Sequence, residues 1–201
     1  MIEAQINGLL HRPPVAALSA AVEAEGASSL GIPERISATG GKWYFDDMQE
    51  WPDTLQVNYE FAGAPPRLLT YEMRVWCPYQ MYGESEGAAV FGDQAYIVIG
   101  NTRWRAFAGR DELIAEGTGD SFEGPHVEDF LTCVKTRNRP RCDLATVGHA
   151  ASVLCHAGNI AARVGRTLTL SASEETFDGD PAANELRGRP EWRRPWVLPT
   201  V

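Results

Sequence analysis

Apolar and polar residues alternate strictly along Thr54–Phe61. Leu55, Val57, Tyr59 and Phe61 fall on one side, and Thr54, Gln56, Asn58 and Glu60 on the other. A period of two predicts a half-buried strand, most readily in an antiparallel sheet. Gly63–Pro66 reads as a turn. Leu68–Cys77 repeats the pattern, with Leu69, Tyr71, Met73 and Val75 opposed by Thr70, Glu72, Arg74 and Trp76. The two runs predict a hairpin with one apolar and one polar face. Upstream, Pro33–Phe45 predicts a strand interrupted at Gly40-Gly41 and ending in aromatics, and Asp46–Pro52 an acidic connector. Downstream, Ala88–Ala108 predicts short strands separated by turn signals at Gly92-Asp93 and Gly100-Asn101. Its segment Ala95–Ile99 is continuously apolar and belongs in the middle of a sheet. Asp111-Glu112 and then Gly117–Gly124 read as a polar loop.

The period then changes to that of a helix. Val127, Phe130, Leu131 and Val134 recur at i, i+3, i+4 and i+7. Pro125 suits the first helical position, Lys135 and Arg137 suit the last turn, and Pro140 ends the helix. Burial of four such side chains stabilises by about 1.5–3 kcal/mol each before entropy, so this helix needs a surface to lie on. A second helix follows, with Asp143 as its N-cap and Gly165 as its C′ residue. Val147, Ala151, Leu154, Gly158 and Ala162 form one apolar row; Val153, Ala157, Ile160 and Val164 form another. Most of its circumference is small or apolar, which predicts deep burial and close approach of a neighbouring backbone. A polar stripe remains at His149, Ser152, His156, Asn159 and Arg163. Thr167–Leu170 turns extended.

Strands followed by helices predict an α+β fold: an open, mainly antiparallel sheet with helices packed on one face and an extended C-terminal tail. The organisation expected is an N-terminal extension over 1–31, an α/β domain over 32–170, and a tail over 171–201 strapped to it. The tail is rich in Arg, Trp and Pro and lacks a helical period. The opposite sheet face, with Gln56, Asn58, Glu72, Arg74 and Trp76, is left for solvent, a substrate or a partner.

Composition narrows the function classes. With 201 residues, 44% hydrophobic, the chain can bury a substantial core. A net charge of −9 argues against nucleic acid or an anionic membrane as partner. The chain has no apolar run of membrane-spanning length and no signal-peptide pattern at Met1–Pro14, so a cytoplasmic location is expected. Cys77, Cys133, Cys142 and Cys155 are scattered with no CxxC, which fits reduced, mostly buried thiols. Only Lys42 and Lys135 are lysines among eighteen cationic side chains. No metal site is expected: His149 and His156 are two turns apart, about 10 Å at helical rise, too far to share one ion. Cys155 and His156 are adjacent on a helix and point to different sides, which disfavours a nucleophile–base pair. Gly117–Gly124 is glycine-rich but lacks the G-x-G-x-x-G spacing.

Three residues remain as substrate-binding candidates. His126 stands at a helix N-terminus after a Gly-Pro turn, where the helix dipole opposes a protonated imidazole; a capping role is the alternative. Arg74 lies on the polar strand face as an anion or hydroxyl binder, or as half of a surface ion pair. His156 lies on the polar stripe of the second helix. No residue is assigned a catalytic role.

Several segments, in order, resemble one family. HVEDFLTCVKTRNRP, VGHAASVLCHAGNIAARVGRTL and ETFDGDPAANELRGRPEWRRPW resemble the C-terminal part of glucose–fructose oxidoreductase / inositol dehydrogenase-type (Gfo/Idh/MocA) proteins. PERISATGG, DDMQEWPDTLQVNYEF and FGDQAYIVIG resemble strands of the same domain. The resemblance spans Ile32 to Pro199. It implies an α/β domain that supplies part of a sugar or polyol pocket and the oligomer contacts. In such proteins a Rossmann domain binds NAD or NADP, a Glu-Lys-Pro motif supplies a lysine, and an Asp-x-x-x-His motif supplies a proton-transfer histidine. This sequence departs from that pattern. It has no Rossmann fingerprint and no Glu-Lys-Pro. Asn7, Phe122, Ala145 and Ser152 stand four residues before its histidines. The resemblance therefore implies an isolated substrate-side and oligomerisation domain, truncated or degenerate and inactive alone. It would hold no cofactor within this chain and would depend on a separate Rossmann-domain chain for NAD or NADP. A homo-oligomeric interaction module using the open sheet face, or a sugar-binding module without redox chemistry, is the alternative.

Overall fold

The computed structural model describes residues 31–64, 66–119, 123–141, 143–188 and 195. The described residues up to Cys77 and from Leu144 onward form one compact unit, and Pro78–Asp143 form another. Each unit is built on its own four-stranded antiparallel sheet, so the expected α+β class with open antiparallel sheets holds, divided between two sheets.

The first unit contains β1 (Arg35–Gly41), β2 (Thr54–Phe61), β3 (Arg67–Arg74) and β8 (Leu168–Thr169), in the order β3-β2-β1-β8. The alternation of β2 is realised in full: Leu55, Val57, Tyr59 and Phe61 are all buried. β2 and β3 form the expected hairpin, with Leu55 opposite Met73 and Tyr59 opposite Leu69. β1 runs unbroken through Gly40 because a Cβ there would lie 2.2 Å from the Thr54 carbonyl oxygen. Only glycine allows so close a pairing.

A π-helical turn, Leu144–Gly148, leads into α2 (His149–Val164). Asp143 thus stands immediately before this continuous helical run, which opens with the π turn. The residue at the cap is Gly148, in helical conformation with no side-chain cap. At the other end Gly165 is left-handed and its N–H donates to the Ala161 carbonyl at 3.0 Å, as its position predicts. Only one side of α2 is buried, through Ala157, Gly158, Ile160 and Ala161. The all-round burial expected of it does not occur: Ala151 and Cys155 are exposed.

The buried side meets Ile36, Val57 and Tyr59 in one apolar cluster, joined by Leu168, Leu170, Phe177 and Ala183. Gly158 lets the helix approach the sheet, since a Cβ there would lie 2.5 Å from the Tyr59 hydroxyl and 3.2 Å from Val57. That hydroxyl donates to the Leu154 carbonyl at 2.8 Å and ties helix to sheet. Burial pushes the Tyr59 phenol up to about 12, with smaller contributions from Cys155 and Tyr71.

The first part of the tail contains a short helix, α3 (Pro181–Glu185), although no helical period marks it. Asp180 caps α3 by accepting from the Ala183 N–H at 3.0 Å. Arg166 grips the same carboxylate with Nε at 2.8 Å and a terminal nitrogen at 2.6 Å. The hydrogen bond from Arg166 and that from the Ala183 N–H hold the Asp180 carboxyl below the ordinary carboxylate range. The tryptophans at 192 and 196, and the extension up to Leu30, lie outside the described residues.

The second unit orders its strands β4-β5-β6-β7: Ala88–Phe91, Ala95–Ile99, Arg103–Ala108 and Glu112–Thr118. The turns fall at the predicted Gly92 and Gly100, and Ala95–Ile99 is central as expected. β7 was not legible as a strand. A bulge sets Phe107 opposite Leu113 and Ala106 opposite Ala115, so Ile114 is the extra residue and the alternation breaks there. Within this strand Gly117 leaves room for Trp104, whose indole nitrogen would lie 2.7 Å from a Cβ.

One face of this sheet is an aromatic ladder. Phe91 stacks on Tyr96 at 5.2 Å and Tyr96 on Phe107 at 4.9 Å, with Tyr82 at the end. The helix α1 (Glu123–Thr136) places Pro125 in its first turn, where a missing N–H costs nothing. Its apolar stripe, Val127, Phe130, Leu131 and Val134, is between 47% and 57% exposed. The surface that the sequence requires for this stripe is not provided by the described residues.

Candidate functional site

The β1–β2 connection is a twelve-residue loop that folds back on one carboxylate. Asp53 is 1% exposed and accepts from the Trp43, Tyr44 and Phe45 N–H groups at 3.1, 2.8 and 2.9 Å. The Thr54 hydroxyl donates to it at 2.8 Å. Burial opposes ionisation of Asp53, but the backbone donors and Thr54 outweigh it and hold the carboxyl well below its usual range. Every one of these bonds is internal, so Asp53 organises the loop and is not free to act on a substrate. Trp43–Phe45, expected as a strand end, belong to this loop instead. Tyr44 stacks on Trp76 at 5.0 Å, and the Trp76 indole N–H donates to Thr54 Oγ1 at 2.9 Å.

Fixing the loop places Trp51 beside α2. There a small cavity of about 90 Å³ is lined by Trp51, by His156, Asn159, Ile160 and Arg163 of α2, and by Leu186 and Arg187 just after α3. The α2 residues recur at i, i+3, i+4 and i+7, so one helix face supplies four of them. Ile160 is buried and closes the apolar side. The Arg163 guanidinium lies 5.0 Å from the centroid of the Trp51 ring and 3.8 Å from the exposed Glu50 carboxylate. Arg187 reaches the cavity because the Arg166–Asp180 pair and the Asp180 cap fix α3.

The three substrate-binding candidates are not gathered in this cavity. His156 is there, and is exposed. Arg74, in the same unit, ends β3 with its Nε 2.9 Å from Glu72 Oε1, so it is half of a surface ion pair. His126 is exposed on the first turn of α1 in the other unit. On the polar face of the first sheet, the Thr70 hydroxyl donates to Asn58 Oδ1 at 2.9 Å, so that face is partly cross-linked within itself. Trp51 and Arg187 escaped sequence reasoning. Only the three-four spacing of the α2 stripe pointed toward the cavity.

Cysteine placement differs from expectation. Cys155 is exposed, and Cys77 and Cys133 are half-buried free thiols; Cys142 lies outside the described residues. Burial, with Asp129 nearby, pushes the Cys133 thiol up, away from nucleophilic use. Among the described residues no group of three or more His, Cys, Asp or Glu side chains is placed to hold a metal. None of their helices is long and apolar enough to cross a membrane. Every strand pairing described is antiparallel. The sequence has no G-x-G-x-x-G, the fingerprint that places a dinucleotide pyrophosphate at a helix N-terminus.

No protein-family model and no curated protein matches this sequence. Among solved structures the chain is similar to the WlbA dehydrogenase of Bordetella pertussis in complex with NADH and UDP-GlcNAcA, at 12% identity and a TM-score of 0.42. That likeness covers 70% of this chain and 41% of the other. It is similar to the putative oxidoreductase yvaA of Bacillus subtilis at 8% identity and TM-score 0.45, over 77% of this chain and 50% of that one. The aldose-aldose oxidoreductase of Caulobacter crescentus, complexed with glycerol, gives 16% identity and TM-score 0.40, over 77% and 45%. The chain thus spans half or less of each of these structures.

Proposed function

We propose that this chain is the substrate-side and oligomer-forming domain of a sugar or polyol oxidoreductase, inactive in redox chemistry by itself. One observation carries the reading. The segments that resemble the Gfo/Idh/MocA family are the ones that form the architectural elements: HVEDFLTCVKTRNRP covers most of α1, and VGHAASVLCHAGNIAARVGRTL runs from the end of the π turn through α2 to the start of β8. NAD or NADP would be held by a Rossmann domain on a separate chain, and no step through it is derived from these residues. The cavity beside α2, with His156, is the place offered to a polyol or sugar. The experiment is an assay of the purified chain with NAD(P)+ and a panel of sugars and polyols. No turnover is expected, together with a rise in melting temperature for a bound sugar. Turnover by the chain alone overturns the reading.

A second reading is favoured by the aromatic ladder. Phe91, Tyr82 and Leu113 lie on one sheet face and are all about half exposed or more. Such a patch suits a homo-oligomer contact without any redox chemistry. Light scattering at high concentration tests it: an oligomer supports the contact, and a strict monomer removes it.

A further inference from the structure

We propose that the cavity beside α2 is an anion subsite, built to hold a carboxylate or phosphate group on a small ligand. The proposal rests on reading that cavity as a ligand site, and it names the ligand's charge. Arg163, Arg187 and His156 are among the residues that line a space of about 90 Å³. Like charges brought together repel, and here they are hardly compensated. Arg163 has only the distant, 84%-exposed Glu50 at 3.8 Å. Among the described residues no carboxylate pairs with Arg187, and the side chains of His156 and Asn159 make no hydrogen bond.

The contrast within the same unit is instructive. Arg35 and Arg166 each have a carboxylate within 3.2 Å, and His149 has Glu175 at 2.5 Å. On a chain with net charge −9, cations in one hollow with so little compensation among the described residues are unusual. An oxyanion accepts from guanidinium, imidazole and amide donors at once, and so answers every one of them. Trp51 and Ile160 give the attached carbon skeleton an apolar wall.

The test titrates the full chain, at constant ionic strength, with gluconate, glucose 6-phosphate, inorganic phosphate and neutral glucose, read by calorimetry and by the Trp51 indole and His156 ring NMR signals. Saturable binding of gluconate or of glucose 6-phosphate, with movement of both signals, is expected; whichever is tighter tells carboxylate from phosphate. Arg163→Gln and Arg187→Gln should each weaken it about ten-fold or more. Because Arg163 also stacks on Trp51, Arg187→Gln is the cleaner variant, and its melting temperature reports whether the fold is intact. Binding of glucose as tight as that of gluconate overturns the anion subsite but leaves a sugar site standing. No saturable binding of any probe, or unchanged binding by Arg187→Gln, overturns the subsite outright.

Discussion

The two long helices obey the same rule in sequence and end in different circumstances. α2 presses Ala157, Gly158, Ile160 and Ala161 onto β1 and β2, where Ile36, Val57 and Tyr59 are almost wholly buried. α1 has a stronger-looking stripe of larger side chains, yet about half of each remains in contact with water. Periodicity states that a helix has a face to bury. It does not say what will cover that face. Small residues matter more here than large ones, because Gly158 allows the backbone of α2 to approach the Tyr59 hydroxyl and the Val57 side chain. Val127, Phe130, Leu131 and Val134 have no such matched surface within the described residues.

Truncating one residue on each helix breaks the comparison most sharply. Ile160→Ala should cost about 2–5 kcal/mol through lost transfer and a cavity. Leu131→Ala should stay within about 0.5 kcal/mol, as for an exposed position. Urea unfolding of both variants checks this. A large loss for Leu131→Ala would mean that the α1 stripe is covered in solution.

Filling the close approaches comes next. Gly158→Val forces Tyr59 and Val57 aside and should cost about 1–3 kcal/mol. Gly117→Ala, against Trp104, should cost an amount in the same range, but in the other unit. Thermal unfolding with two probes tells whether the two units melt together. Tyr59→Phe removes the hydrogen bond to Leu154 and should lower stability by about 1 kcal/mol.

The smallest effect at neutral pH is visible only in acid. Asp53 and Asp180 have depressed pKa values in the folded chain. Their contribution is therefore complete above the unfolded carboxylate pKa of about 4 and is lost as pH falls through the lower folded values. The urea midpoint should drop between pH 5 and strong acid. Asp53→Asn should flatten that drop, and an unchanged acid profile would contradict the role given to Asp53.

The site was only partly readable in advance. The α2 stripe was legible, because a three-four spacing of His156, Asn159 and Arg163 in an otherwise apolar helix must form one face. Asp53 was not, because an Asp after Trp-Pro looks like any acidic connector until the loop returns its N–H groups to it. β7 was hidden because its bulge at Ile114 puts two apolar residues side by side. For Arg74 the strand pattern left a binder and a surface ion pair open, because a period of two puts Glu72 on the same face without saying whether it takes the guanidinium, as it does here.

Sequence alone determined the local elements of this protein. The β2 and β3 alternation, the turns at Gly92 and Gly100, the apolar β5 and the Gly165 cap are all set by period and by backbone freedom, which act over a few residues. Tertiary structure decided what those elements meet. The division into two sheets, the clamp on Asp53 and the meeting of Trp51, Arg163 and Arg187 join residues far apart in the chain. Such meetings depend on shape and unpaired charge in three dimensions, which no periodicity encodes.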